Sequence, residues 1–170
     1  MEIAGQMADH HRPGRRTPGD LDDVDRKIIA ALCRDARVSV RALAESLHIS
    51  RASAYSRLDR LTTEGLVRGF SARLDPVGIG LTTSAYVTLR IEQNSWREVS
   101  ARLRRVRGIL HFALTGGDFD VLALVRVPGQ SELRDLVLND LHSIPGVLST
   151  RTHLIFDESN DDLTLGDYAS

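Results

Sequence analysis

Apolar residues recur at helical spacing in the first part of the chain and alternate at strand spacing in the rest. Leu21, Val24, Ile28 and Leu32 repeat three or four apart, which predicts a helix running to about Arg34. Asp22 is its predicted N-cap, with Asp25 near the positive end of the helix dipole. Ser39 predicts the cap of a short second helix that buries Leu43, Ala44 and Leu47. His48-Ile49 is a turn. Ser50 caps a third helix whose inward stripe is Ala54, Leu58 and Leu61 at i, i+4, i+7. Gly65 is placed to stop that helix, Leu66 to Leu74 predict a wing strand or hairpin, and Asp75-Pro76 ends the unit. Short helix, tight break, longer helix and wing together describe a winged helix-turn-helix, whose second helix fits the DNA major groove.

After Pro76 the period changes. Ser84–Glu92 alternates, with Ala85, Val87, Leu89 and Ile91 on one face, and reads as a strand. Ser95-x-x-Glu98 reads as a capping box ahead of a stripe of Trp96, Val99, Leu103 and Val106. Ile109–Thr115 is a strand, Gly116-Gly117 turns the chain, and Phe119–Val127 is the next strand. Ser131–His142 is a helix buried through Leu133, Leu136, Val137 and Leu141. Pro145-Gly146 turns into a last strand, Val147–Phe156. The order βαββαβ is the ferredoxin-like arrangement, an antiparallel sheet with both helices on one face, so the chain as a whole is α+β. Val121, Ala123 and Val125 but also Leu122 and Leu124 are apolar, and Ile109 and Ala113 with Leu110, Phe112 and Leu114 repeat this next door. A sheet greasy on both faces needs a second cover, and the simplest is the same face of another copy in a two-fold dimer.

These patterns divide the chain into an extension at 1–20, expected to be disordered, a helix-turn-helix domain at 21–75, a linker at 76–83, the βαββαβ domain at 84–156 and an acidic tail at 157–170. Net charge is −1 overall, yet the tail carries five acids and no base. The body is therefore mildly basic, and the overall balance understates its affinity for phosphate. Lys27 is the one lysine among 22 basic residues; the arginines suit phosphate and guanine contact. Cys33, the single cysteine, sits in an apolar helix pattern and reads as a small buried hydrophobe. No apolar run approaches the ~20 residues of a membrane span, and the N-terminus lacks a signal peptide's apolar segment, so no membrane partner and a cytoplasmic location are expected. Metal-ligand spacing, a Ser-His-Asp set, a Cys-His pair and a P-loop are absent from the sequence, so neither a cofactor nor catalysis is expected.

Two places carry chemistry. On the third helix Ser50, Arg51, Ala52, Ser53, Tyr55, Ser56, Arg57 and Arg60 lie on or beside the arc opposite the core stripe. Small residues near the helix N-terminus permit close approach, Ser hydroxyls bond bases or phosphates, and Arg reads guanine or holds phosphate. Asp59 on the same arc repels phosphate. Arg68 and Arg73 in the expected wing are backbone-contact candidates. The second place is the turn Gly117, Asp118, Phe119 and Asp120 together with Thr150 and Thr152. Backbone N–H groups freed by glycine can cradle a carboxylate and the aspartates can pair with an ammonium, which suits an amino acid. Gly-Gly-Asp is equally good hairpin chemistry, and both threonines are ordinary strand residues.

The chain resembles the Lrp/AsnC family of feast/famine regulators from about Leu21 to Phe156. The resemblance rests on LDDVDRKIIAAL, DARVSVRALAESLHIS, RLDRLTTEGLVRGF and LDPVGIG in the first half, and on LTGGDFDVLALV and IPGVLSTRTHLIF in the second. It implies a sequence-specific transcriptional regulator of double-stranded DNA, with an amino-acid-sensing βαββαβ domain that dimerises through its sheets and could assemble further, to octamers. It implies an effector pocket between dimers, lined by the turn at Gly117, Asp118, Phe119 and Asp120 and by the strand at Thr150 and Thr152. Gly116 departs from the family pattern, where a hydroxyl residue often stands. Two alternatives share the architecture: a sirohaem-decarboxylase-like enzyme, whose tetrapyrrole pocket the scattered His111, His142 and His153 do not suggest, and a nucleoid architectural protein of low sequence preference.

Overall fold

Asp22 opens the first helix by a reciprocal cap. Its carboxylate accepts the Asp25 N–H at 2.8 Å, and the Asp25 carboxylate accepts the Asp22 N–H at 3.3 Å, an aspartate version of the capping box. The computed structural model describes residues 21–159, in which this helix is α1 (Asp23–Arg34), followed by α2 (Val40–Ser46) and α3 (Arg51–Thr63). The extension at 1–20 and the tail from Asn160 lie outside the described residues. Ser39 Oγ accepts the Ala42 N–H and Ser50 Oγ the Ser53 N–H, each at 3.1 Å. Each cap satisfies a donor that the helix itself leaves open, worth about 1 kcal/mol. Ile28, Leu32, Leu43 and Leu61 form the core of the three helices, flanked by Leu21, Val24, Leu47 and Leu58.

Two expectations for this unit are corrected. Cys33 is exposed, because it follows Leu32 by one residue and so lies about 100° round α1 from the core stripe. The wing is absent as a strand or hairpin: no strand lies between Thr63 and Thr83. Gly65 stops α3 at φ +74, then Leu66 and Val67 both donate their N–H to the Leu61 carbonyl at 3.0 Å and pack on the core. The segment is spent on closing the helix end, and among the described residues no strand is paired with residues 68–74.

Two compact units result, one reaching Ala72 and one running from Arg73 to Ser159. In the second, the Asp75 carboxylate accepts the N–H of Val77 and of Gly78 at 3.1 Å and folds the expected linker into a turn. Four strands follow: β1 (Thr83–Ile91), β2 (Ile109–Leu114), β3 (Val121–Val127) and β4 (Val147–Leu154), in the order β2-β3-β1-β4 with every pairing antiparallel. Helices α4 (Trp96–Leu103) and α5 (Gln130–Asp135) accompany them. Ala85, Val87 and Leu89 of β1 and Val121, Ala123 and Val125 of β3 are fully buried beneath Val99, Leu103 and Leu141. This is the expected ferredoxin-like sheet, covered on one face.

Three local readings change. Ser95 makes no capping bond to α4; its hydroxyl donates instead to the Glu92 carbonyl at 2.8 Å, while Glu98 pairs with Arg102 one turn on. The expected Ser131–His142 helix is α only to Asp135 and continues as a π-helix over Leu136–Leu141. Residues five apart fall about 140° apart on an α-helix, so the wider turn is what lets Leu136 and Leu141 both be buried while Asp140 stays exposed. A bulge in β2 between Ile109 and His111 puts Ile109 and Phe112, of opposite parity in the sequence, both against the core.

Candidate nucleic-acid interface and ligand site

The turn before α3 is tight. His48 takes φ +54, and the Ile49 N–H returns to the Ala44 carbonyl at 3.0 Å. Ser50 then starts α3 with Ala54 and Leu61 fully buried. The opposite arc presents Arg51, Ala52, Tyr55, Ser56 and Asp59, all exposed, with Tyr55 at 65%. Ser53 is half-buried beside them. Small residues and two hydroxyls thus lead the helix, with Arg51 at its first position and, among the described residues, no acid paired to it.

Arg57 and Arg60, expected on the DNA-facing side, are turned to α1. Arg57 Nη1 lies 2.6 Å from Asp22 Oδ2 and 2.8 Å from Asp25 Oδ1, and Arg60 Nη2 lies 2.6 Å from Asp25 Oδ2. Arg60 Nη1 is also 3.8 Å from Glu64. The Asp25 side chain is 2% exposed, so burial pushes its carboxyl upward; hydrogen bonds from Arg60, Arg57 and the Asp22 N–H outweigh that and hold it below the ordinary carboxylate range. The Asp25 N–H and then Arg57 lower Asp22, and the two guanidinium groups are raised in turn, chiefly by Asp22 for Arg57 and by Asp25 for Arg60. This network joins residues more than thirty positions apart. Its one sequence signal is that Arg57 and Arg60, three apart, share a helix side, as do Asp22 and Asp25. Arg68 is exposed in the first unit; Arg73, also exposed, opens the second.

At the second site the turn is held by its own backbone. Thr115 donates its N–H to the Asp120 carbonyl at 2.9 Å and its hydroxyl to the Phe119 carbonyl at 2.8 Å. Asp120 N–H reaches the Leu89 carbonyl at 2.9 Å, and Asp120 Oδ2 accepts the Ile91 N–H at 2.8 Å. One Asp120 oxygen is therefore occupied in tying the turn to β1. Gly117 takes φ +136, and a Cβ placed on it would meet no atom within 4 Å, so the Gly-Gly backbone lies open and Asp118 is exposed.

Thr150 pairs with Leu89 from the other side of β1. The fold thus brings the turn and Thr150 to opposite flanks of one residue. Thr150 Oγ1 is 2.6 Å from His142 Nε2, a neighbour that sequence reading passed over and that the return from the Pro145-Gly146 turn supplies. Thr152 pairs with Val87 and lines a groove of about 410 Å³ with Gln130, Leu133, Arg134, Val137, Leu138 and Leu154. Neither Thr150 nor the Gly117–Asp120 turn lines that groove. Among the described residues no group of His, Cys, Asp and Glu is arranged to hold a metal ion, and no helix is long and apolar enough to cross a membrane.

Comparison with known proteins assigns both units. Residues 21–62 match the AsnC-type helix-turn-helix domain and residues 84–165 the Lrp/AsnC ligand binding domain. The HTH-type transcriptional regulator AldR of Mycolicibacterium smegmatis is 33% identical over 156 residues, covering 85% of this chain and 91% of that protein. The leucine-responsive regulatory protein of Salmonella typhimurium is 31% identical over 150 residues, 86% of this chain and 89% of its own. The crystal structure of the leucine response regulatory protein LrpA of Mycobacterium tuberculosis superposes with a TM-score of 0.75 at 30% identity, covering 84% of this chain and 97% of that one.

Proposed function

The chain belongs to the Lrp/AsnC family of transcriptional regulators, and we propose that it binds specific duplex DNA through the N-terminal half of α3 and responds to a small amino acid at its ligand-binding domain. The observation that carries the DNA half is the division of α3. Ala54 and Leu61 are sealed in the core while Arg51, Ala52, Tyr55 and Ser56 stand in solvent behind a Ser50 cap. A helix so divided can enter a major groove with Arg51 and Ser56 toward base edges and phosphate.

The amino-acid half draws support from the relatives named for leucine and from the Gly117–Asp120 turn. Its exposed backbone and Asp118 offer opposite partners to a carboxylate and an ammonium. Thr150 and Thr152 stand on β4, across β1 from that turn. The outer sheet face, with Leu122, Leu124 and Ala113, supports pairing with a second copy. An effector seated between copies would favour one assembly over another by the difference of its affinities for the two.

Fluorescence anisotropy with the full chain on the fragment upstream of its own reading frame, against scrambled competitor, tests the DNA half. Arg51→Ala should weaken the specific complex by about 1–3 kcal/mol if it reads a base. A loss spread evenly over sequences, with a salt slope shallower by about one, assigns Arg51 to phosphate instead. No discrimination between fragment and competitor, together with no sequence enriched by the chain from a random duplex pool, would overturn sequence-specific regulation. Titrating amino acids while following oligomer size and DNA affinity tests the effector half, which a flat response to all of them refutes.

A further inference from the structure

We propose that Asp25 governs how strongly this protein discriminates between DNA sequences, by holding two arginines of the recognition helix away from phosphate; the proposal rests on the DNA-binding reading above. Three arginines lie on α3, and Arg51 alone among them has no acidic partner among the described residues. Arg57 is bound by two carboxylates at 2.6 and 2.8 Å and Arg60 by one at 2.6 Å. Asp25 is the shared member, placing one oxygen on each guanidinium. Because its side chain is 2% exposed, water screens those contacts little.

The arginines themselves are not sealed in. Their side chains keep 28% and 31% exposure, and Arg60 follows Ser56 by one turn on the side that borders the outward arc. Released from their carboxylates, Asp25 for Arg60 and Asp25 with Asp22 for Arg57, they would stand beside a docked duplex as two mobile cations. Arginine contact to phosphate raises affinity for every sequence alike. Their capture leaves discrimination to groups at the helix start. Asp25 faces α3 from α1, so it acts through other side chains and is a positioning residue.

The test uses the full-length chain, a random-sequence duplex and the upstream fragment, over about 50 to 300 mM salt. For Asp25→Asn the slope of log K against log salt on random duplex should steepen by about one, from Arg60, because Asp22 still holds Arg57 at 2.6 Å; D22N/D25N should steepen it by about two. Random-duplex binding at about 0.1 M salt should tighten up to about 8-fold for each arginine that reaches a phosphate, and the specific-to-random ratio should fall. An unchanged or shallower slope overturns the proposal.

Asp25→Asn can destabilise the helical unit, so a triple variant, D25N/R57Q/R60Q, removes the buried carboxylate together with both arginines and leaves only the partly exposed Asp22 and Glu64 without their partners. Its random-duplex slope should stay within about half a unit of wild type. A slope shallower by about two would mean that both arginines already hold phosphate in the native complex, which overturns the proposal even where Asp25→Asn alone does not fold. A wild-type chain that holds no duplex defeats the DNA reading and the proposal with it. A wild type that binds while Asp25→Asn keeps its slope defeats the proposal alone.

Discussion

Gly146→Ala should be among the most damaging single-methyl additions to the ligand-binding unit, and two terms of its cost can be separated. Gly146 holds φ +87 where the chain turns into β4, and its carbonyl accepts the Glu92 N–H at 2.8 Å. An L-residue there costs about 1–2 kcal/mol for the left-handed backbone alone. A Cβ would also fall 2.4 Å from both Cβ and Oγ of Ser95. Ser95 has little room to yield, since its N–H and hydroxyl both bond the Glu92 carbonyl and its own carbonyl takes the Val99 N–H. Overpacking of this kind costs a further 1–3 kcal/mol or about that. The sum, about 2–5 kcal/mol, lowers the melting temperature of a unit this size by about 4–8 °C per kcal/mol.

Gly80 is the internal control. It lies in the same unit at φ +85, and a Cβ there would meet nothing within 4 Å, so Gly80→Ala should show the backbone cost alone. Ser95→Gly in the Gly146→Ala background removes the atoms in the way. The double variant should return to within about 0.5 kcal/mol of Gly80→Ala once the effect of Ser95→Gly alone is subtracted. Thermal unfolding by calorimetry supplies the comparison. If Gly146→Ala and Gly80→Ala melt together, the Ser95 contact does not exist and the reasoning fails.

Further outcomes follow from other parts of the molecule. Asp22 and Asp25 are held below their unfolded range, so their contribution is complete above about pH 4 and is lost as pH falls through their folded values; the helical unit should melt progressively lower in acid, and Asp25→Asn should flatten that dependence. Leu124→Glu places a charge on the outer sheet face opposite Tyr86; sedimentation should show a shift to monomer with the unit still folded, whereas an unchanged mass would remove that face from the assembly. Asp120→Ala deletes the acceptor of the Ile91 N–H and should cost about 1 kcal/mol, with Asp120→Asn restoring much of it; equal melting of the two variants would show that the tie contributes nothing.

Local order was legible in the sequence because its causes are local. Asp22, Ser39 and Ser50 each cap a helix by reaching a backbone N–H three residues on, a distance set by the helix itself. Alternation in β1 and β3 likewise marks the residues that face the helices, since successive strand side chains point to opposite faces. From these the two units, the βαββαβ order and the exposed arc of α3 followed. The resemblance in Asp22–Gly65 and in the Gly-Asp-Phe-Asp turn carried the family.

Features that depend on distant partners were not legible. A hydroxyl with two acceptors within reach is directed by packing, and Ser95 took the Glu92 carbonyl rather than the helix. A strand exists only where another strand accepts its backbone, and among the described residues no strand pairs with 66–74. The phase of β2 was reset by a bulge that brings Phe112 to the core, and the buried Leu141, which the sequence did mark, is brought there by a π turn that it did not. Thr150 met His142, and Thr152 met a groove apart from the Gly117–Asp120 turn. The arginines of α3 show the division most plainly. Composition and helical period place Arg57 and Arg60 on a helix side, but Asp22 and Asp25, thirty-two to thirty-five residues earlier, decide where they point, because a buried carboxylate such as Asp25 acts on whatever cation the chain folds against it.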